Sequence, residues 1–382
     1  MSLSGTLKNI YYEKGSIPIL DGFRGMAAFL VLLSHVFVDQ FKNTPILDSF
    51  IIFSGHGGVE LFFVLSGFLI SYPFWKNYYF EKKVISYRNF YLRRALRVLP
   101  LFYISFFFFL LLSMILNKEI SEHLRIIPFY IFQVHNFSSH INFLNPPTWT
   151  IAVEIHFYLL VSLFFLWKGR SSLKNAIFTL TIILLVIFIY KIWAGTQVND
   201  PATYRNLIYA NTFARLDQFI TGIFLSLLYI CMKHSSILNK RIEKYKDISL
   251  ITGVFMIVAI SLIEYNLDQA GNVYNNTFFK VLYPTLTSLA WGMLLLSGLS
   301  NGKLVKDLFS SNILTMLGKL SYSIYLLHVP LYTWLFKPFI INYCHLNEFA
   351  SALLFIPLII IISIVTYSVI EKPFLSMKSD YL

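Results

Sequence analysis

The sequence predicts an all-α, polytopic membrane protein of about ten transmembrane helices with both termini cytoplasmic. Three observations carry that expectation. Of 382 residues, 57% are hydrophobic and only 13% charged, against about 25% charged in an ordinary soluble protein. Ten apolar segments have the length a bilayer requires, at 17–38, 57–75, 98–117, 149–168, 174–194, 213–232, 248–265, 280–299, 313–336 and 349–371. The Lys and Arg residues alternate between successive loops. With the N-terminus inside, 21 of them lie in cytoplasmic segments, and only Lys42, Lys118, Arg125, Arg205 and Lys337 lie in outer loops. That asymmetry follows the positive-inside rule. The net charge of +12 is therefore explained by topology, and no nucleic-acid partner is expected.

In chain order, Lys8 and Lys14 precede the first span. That span contains Arg24 and is followed by no small-residue cleavage site, so it is expected to persist as a helix rather than act as a signal peptide. The loop 76–97 carries Lys76, Lys82, Lys83, Arg88, Arg93, Arg94 and Arg97 and is the most basic segment. The stretch 124–135 is short and broken by Pro128, which predicts a re-entrant or interfacial piece. Later cytoplasmic loops carry Lys168, Arg170 and Lys174, then Lys233 to Lys246, then Lys303 and Lys306, then Lys372 and Lys378. No internal repeat or soluble segment interrupts the pattern, so residues 1–382 read as one integral-membrane domain. Cys231 and Cys344 fall on opposite sides of the membrane in this topology, and no disulfide between them is expected. No metal site is expected either.

Ionisable residues inside spans are costly and mark function by default. LDGFRGMAAFLVLLSHVFV (Leu20 to Val38) holds Arg24 and His35. Eleven residues at about 100° each bring them to one helical face, roughly 16 Å apart along the axis. They are candidates for one polar track, although snorkelling and a hydrogen bond to a neighbouring carbonyl would also account for them. YLRRALRVLP (Tyr91 to Pro100) opens the third span, with Arg94 and Arg97 on one face beside Arg93. Arginine forks bind phosphate bidentately, whereas a lipid-phosphate anchor is the plainer interpretation. Glu154, in PPTWTIAVEIHFYLL, is expected in the outer half of the membrane. So is His328, in LSYSIYLLH, with Arg215 and Asp217 where the sixth span begins. A carboxylate beside an imidazole raises its basicity and fixes its tautomer, as a general base requires. Helix–helix hydrogen bonding is the alternative, and it is the reading given to His156. Ser66 and Gly67, in HGGVELFFVLSGFLISYPFW, fall near mid-membrane, where small residues leave room for a thin chain or pack backbones closely. Arginines at one face, a narrow track and a His–Glu pair at the other suit an acyl donor with a phosphate-rich head and a thin arm, the shape of a coenzyme A ester.

These motifs, taken in order, resemble the integral-membrane acyltransferase type 3 family over nearly the whole chain. LDGFRG with its downstream His resembles the family's first span, GVELFFVLSGFLI its second-span motif and RRALRVLP its arginine motif. TWTIAVEIHFYLL, with Trp149, Glu154, Phe157 and Tyr158, is similar to its Trp-Ser-Leu-x-x-Glu-x-x-Phe-Tyr motif. LSYSIYLLH and VIEKPF resemble its last two spans. The resemblance implies transfer of an acyl group, usually acetyl from acetyl-CoA as co-substrate, to an extracytoplasmic hydroxyl at the bacterial cytoplasmic membrane. The acceptor would be a carbohydrate such as lipopolysaccharide or exopolysaccharide. It also implies His35 as catalytic histidine with Arg24 as its motif partner and Glu154 in support, and Arg94 with Arg97 as the donor-binding pair; Arg24 and Arg93 are expected on the acyl-CoA as well. Ser66 and Gly67 would lie on the acyl path, and His328, Arg215, Asp217 and Trp149 on the acceptor side. Thr150 departs from the motif's Ser. No fused extracytoplasmic hydrolase-like domain is apparent, so a separate acyl-transfer partner is one expectation and independent action the other. The rival function is a transporter or flippase of a glycolipid or small solute. The aromatics Tyr204, Tyr209, Phe213 and Tyr274 near the outer face are candidates for stacking on sugars or for the interfacial belt.

Overall fold

The computed structural model describes residues 17–38, 40–42, 44–116, 120–137, 144–169, 171–271 and 276–377. Lys8, Lys14, Lys118, Arg170, Tyr274 and Lys378 lie outside the described residues. Among the described residues there is no strand, and ten helices are long and apolar enough to cross a membrane. They are α1 (Pro18–Val36), α2 (Pro45–Trp75), α3 (Tyr87–Ile115), α4 (Trp149–Lys168) and α5 (Leu173–Gln197), followed by α6 (Thr212–His234), α7 (Lys246–Gln269), α8 (Thr277–Leu299), α9 (Asn312–Pro330) and α10 (Glu348–Thr366). The chain forms a multi-pass membrane protein.

Local chemistry sets the helix starts. Proline occupies the first turn of α1 and α2, where its missing N–H costs no hydrogen bond. Ser86, Ser172, Asn211, Asn276 and Asn347 cap α3, α5, α6, α8 and α10 through their side-chain oxygens. Two helices begin well before their apolar cores. The first turns of α2 hold Asp48, Ser49 and Ser54, polar but buried, with the Ser49 Oγ 2.7 Å from the Ser261 Oγ of α7. Likewise α3 starts at Tyr87, so Arg93, Arg94 and Arg97 sit about two turns or more inside the helix rather than at its opening. The helix N-terminus therefore lies away from these guanidiniums. The segment Ile120–Ile131 is helical over 12 residues, about 18 Å, too short for a ~30 Å hydrocarbon core. His135, just beyond it, stacks on Tyr130 at 4.2 Å and donates from Nε2 to the Thr148 carbonyl at 3.0 Å, bracing the start of α4. Burial holds that imidazole down at about 4.

Two close crossings hold the centre. A Cβ at Gly25 would lie 2.1 Å from the Leu314 carbonyl oxygen, and one at Gly318 1.9 Å from the Asp21 oxygen, so α1 and α9 touch backbone to backbone. The same holds between α2 and α6, where a Cβ at Gly67 would meet the Phe219 oxygen at 2.1 Å. By contrast α5, α7 and α10 expose rows of large apolar side chains, including Leu185 and Ile189, Ile251 and Phe255, and Ile361 and Val365. Those rows suit lipid, whereas many of the buried polar residues lie on α2, α6 and α8.

Candidate active site

Two cavities lie along α1. The smaller, about 80 Å³, is lined by Arg24 of α1, Ser66 of α2, Arg94 and Arg97 of α3, Glu154 of α4 and Tyr322 of α9. Glu154 is held by two donors: Ser66 Oγ at 2.9 Å and Tyr158 OH at 2.8 Å, both to Oε1. The Arg94 guanidinium lies over the rings of Phe90 (5.8 Å) and Tyr158 (5.7 Å), a cation–π setting that fixes its plane. Glu371, in the π-helical turn Tyr367–Glu371 after α10, accepts from Ser323 and lies within electrostatic reach of Arg24 and Arg97. Three guanidiniums thus face one cavity-lining carboxylate. Arg24, Arg94 and Arg97 make no hydrogen bond to a carboxylate among the described residues, so their donor forks are open to an anionic guest.

The larger cavity, about 700 Å³, lies at the other end of α1. His35, His56, Trp149, Tyr204, Tyr209 and Arg205 are among its walls. Its size is in the range of small-molecule sites. The His35 Nδ1 is 2.8 Å from the Val31 carbonyl and 3.3 Å from the His328 Nε2. The His328 Nδ1 is 2.9 Å from the carbonyls of both Ile324 and Tyr325. Carbonyl oxygens only accept, so each neutral ring carries its proton on Nδ1. The His328 Nε2 then accepts from His35, and the His35 Nε2 lone pair is left without a partner among the described residues. A hydrogen bond to one ring nitrogen setting the state of the other is the usual way a base is prepared.

Tyr325 and Val59 line both cavities. The Tyr325 hydroxyl accepts from Thr150 Oγ1 at 2.8 Å and donates to the Pro147 carbonyl at 3.1 Å. Its ring meets Phe62 edge-on at 5.6 Å. A continuous polar track from Arg24 to His35 is therefore interrupted by an aromatic partition. Thr150 supplies the one hydroxyl this partition uses, as a Ser in its place would.

Several expected placements change. Glu154 does not reach His35; it belongs to the arginine cavity, because its helix turns it toward Ser66 rather than toward α1's far end. The side chain facing the His35 Nδ1 is that of His328. Gly67 does not line the cavity and serves the α2–α6 crossing, while Ser66 does line it. Arg93 lies off the cavity wall. Arg215 donates to the Tyr209 carbonyl at 2.6 Å, pairs with Glu60 at 3.4 Å and underlies the Tyr209 ring at 4.9 Å, so it braces the wall rather than lining it. Asp217 accepts from Lys191 at 2.8 Å and from Thr285, in a buried cluster away from both cavities. Trp149 does line the larger cavity, and His156 bonds Thr212 Oγ1 at 2.8 Å. His56, Tyr325 and Glu371 were not anticipated. His56 immediately precedes the apolar stretch that begins at 57, so hydropathy alone does not mark it as an intramembrane ionisable residue. Among the described residues no group of three or more His, Cys, Asp or Glu side chains is placed to hold a metal ion.

The sequence profile of the acyltransferase domain family matches residues 17–368, a range that contains every residue of both cavities. The chain is 26% identical over 332 residues to the O-acetyltransferase OatA of Staphylococcus aureus (strain NCTC 8325 / PS 47), covering 84% of this chain and 51% of that protein. It is 25% identical over 337 residues to the peptidoglycan O-acetyltransferase OatA of Listeria monocytogenes, covering 84% and 50% respectively. The chain thus spans about half the length of these curated relatives. No solved structure matches it. With the profile covering nearly all of the membrane helices, the chain belongs to the acyltransferase type 3 family of membrane acyltransferases.

Proposed function

We propose that this protein is an O-acyltransferase that takes an acetyl group from acetyl-CoA held at the arginine cavity and delivers it to a glycan hydroxyl in the histidine cavity. The observation that carries this reading is the meeting of the two cavities at Tyr325, with open guanidinium forks on one side and a prepared imidazole on the other. Arg94 and Arg97 bind the phosphates of the donor, and Arg24 adds charge at the mouth of the arm's path. The cavity of about 80 Å³ suits a pantetheine arm better than a bulky head. The arm reaches His35 by displacing the Tyr325 ring, a side-chain motion rather than a helix rearrangement. At the far side, His35 Nε2 takes the proton of the acceptor hydroxyl as its oxygen attacks the thioester carbonyl. The carbon–sulfur bond breaks, and the leaving thiolate of coenzyme A takes the proton held on His35 Nε2, which restores the neutral imidazole. The positive-inside pattern supports a cytoplasmic side for the arginines and an extracytoplasmic side for the acceptor, in a bacterial cytoplasmic membrane. The printed name of the Listeria relative makes peptidoglycan the first glycan to try.

The test uses sealed membrane vesicles of both orientations, acetyl-CoA labelled on the acetyl group, and wild type or His35→Ala at matched expression. Label entering the saccharide fraction with wild type alone, only when the cytoplasmic face meets the donor, is the expected result. Uptake of a solute without acetylation would return the chain to the transporter reading.

A further inference from the structure

A second imidazole faces the larger cavity, and nothing in the acyl-transfer chemistry above uses it. His56 lies on α2, and its Nδ1 is 2.6 Å from Glu264 Oε1 of α7. The other carboxylate oxygen of Glu264 accepts from the Tyr283 hydroxyl of α8 at 2.6 Å. Glu264 and Tyr283 are both buried. The rings of Tyr209 (5.6 Å, 74°) and Tyr283 (5.9 Å, 80°) pack edge-on against the imidazole and fix its plane. The side chain of His56 is 33% exposed, that of Glu264 only 2%. Among the described residues the His56 Nε2 has no hydrogen-bond partner. A pair serving only to tie α2, α7 and α8 together would be satisfied by full burial of both groups. Here the carboxylate is buried and orients a ring whose free edge is on the wall of the acceptor cavity.

We infer that His56 is an acceptor-binding residue: its Nε2 hydrogen-bonds a second hydroxyl of a polyhydroxylated ring whose reacting hydroxyl is at His35. Glu264 and Tyr283 are positioning residues that hold the ring in place. Tyr209 and Trp149, which pack together at 4.7 Å on the same cavity wall, supply the apolar face a sugar ring stacks on. Two-point contact selects glycans over monohydric alcohols, because an acceptor lacking the second hydroxyl leaves His56 unpaired. This inference rests on the acyl-transfer reading.

The experiment measures steady-state transfer from labelled acetyl-CoA to an N-acetylglucosamine tetrasaccharide by the full chain in lipid nanodiscs, varying each substrate in turn. His56→Phe is expected to raise the tetrasaccharide KM about tenfold, the loss of one hydrogen bond to a fixed group, with the acetyl-CoA KM unchanged. His56→Gln, which keeps a polar group near the Nε2 position, is expected to fall between wild type and His56→Phe. Glu264→Gln gives a smaller rise of the same sign. A tetrasaccharide KM within twofold of wild type in both His56 variants, or donor and acceptor KM rising together, would overturn the assignment while leaving acyl transfer standing. No transfer by wild type would overturn the acyl-transfer reading and this inference with it.

Discussion

The two ends of α1 are built from opposite materials. At one end, about 80 Å³ of space is bordered by three guanidiniums and one carboxylate. At the other, about 700 Å³ is bordered by two imidazoles and several aromatic rings. The first is strongly charged and too narrow for a sugar. The second is roomy, its Lys42 and Arg205 are balanced in charge by Asp48 and Asp268, and it has the amphipathic surfaces that polyhydroxyl compounds favour. A small solute moving through alone would meet guanidiniums at only one end of this path. The contrast instead suits two substrates that meet at a partition, one recognised by charge and reaching across as a thin arm, the other recognised by stacking and hydrogen bonds.

The sharpest way to break this contrast is to remove the base. His35→Ala is expected to lower the transfer rate by about 10²–10⁴-fold with the protein still folded and still binding acetyl-CoA, as read by turnover and by donor titration. Full activity would show that the larger cavity is not where chemistry occurs. Arg94→Ala or Arg97→Ala acts at the other end. Loss of a charge-assisted hydrogen bond, about 1.5–3 kcal/mol, is expected to weaken acetyl-CoA binding roughly 10–100-fold without changing the acceptor KM. An equal effect on both substrates would erase the division between cavities. Gly67→Ala tests whether the α2–α6 crossing is packing rather than path. With a backbone oxygen 2.1 Å from the new Cβ, overpacking is expected to cost about 1–3 kcal/mol of stability, read as a lower unfolding temperature. Unaltered stability with lost activity would move Gly67 back onto the acyl path. The smallest effect is expected from His328→Phe, which deletes the acceptor facing the His35 Nδ1 proton. About 1 kcal/mol corresponds to a roughly fivefold loss in kcat with donor KM unmoved; a matching change in donor KM would tie His328 to the arginine cavity instead.

The number of crossings was legible in the sequence because hydropathy and loop charge are additive along the chain. Arg24, His35 and Arg94 each stand out against apolar neighbours, whereas Glu154, expected in the outer half of the membrane with His35, lies with the arginines at the opposite end of α1. What could not be read was rotation between helices. Depth along α4 says nothing about whether Glu154 faces α1 or α2, and the expected His35–Glu154 pair became a His35–His328 pair and a Ser66–Glu154 pair. Gly67 was ambiguous for a different reason: a missing side chain marks both a gap and a close approach, and only the Phe219 backbone decides between them. Lys191 and Asp217 each stood in or at a span, and pairing intramembrane charges of opposite sign would have found their ion pair. His56 was hidden by a boundary, because the polar first turns of α2 depress the local hydropathy while remaining helical and buried.

The division of labour between the cavities is tested most directly by acetyl-CoA binding to the purified full chain, measured for wild type, His35→Ala and the double variant Arg94→Ala, Arg97→Ala. The account predicts a wild-type Kd for His35→Ala and binding weakened at least tenfold in the arginine variant. Retained binding in the arginine variant together with lost binding in His35→Ala would contradict it, by placing the donor in the larger cavity.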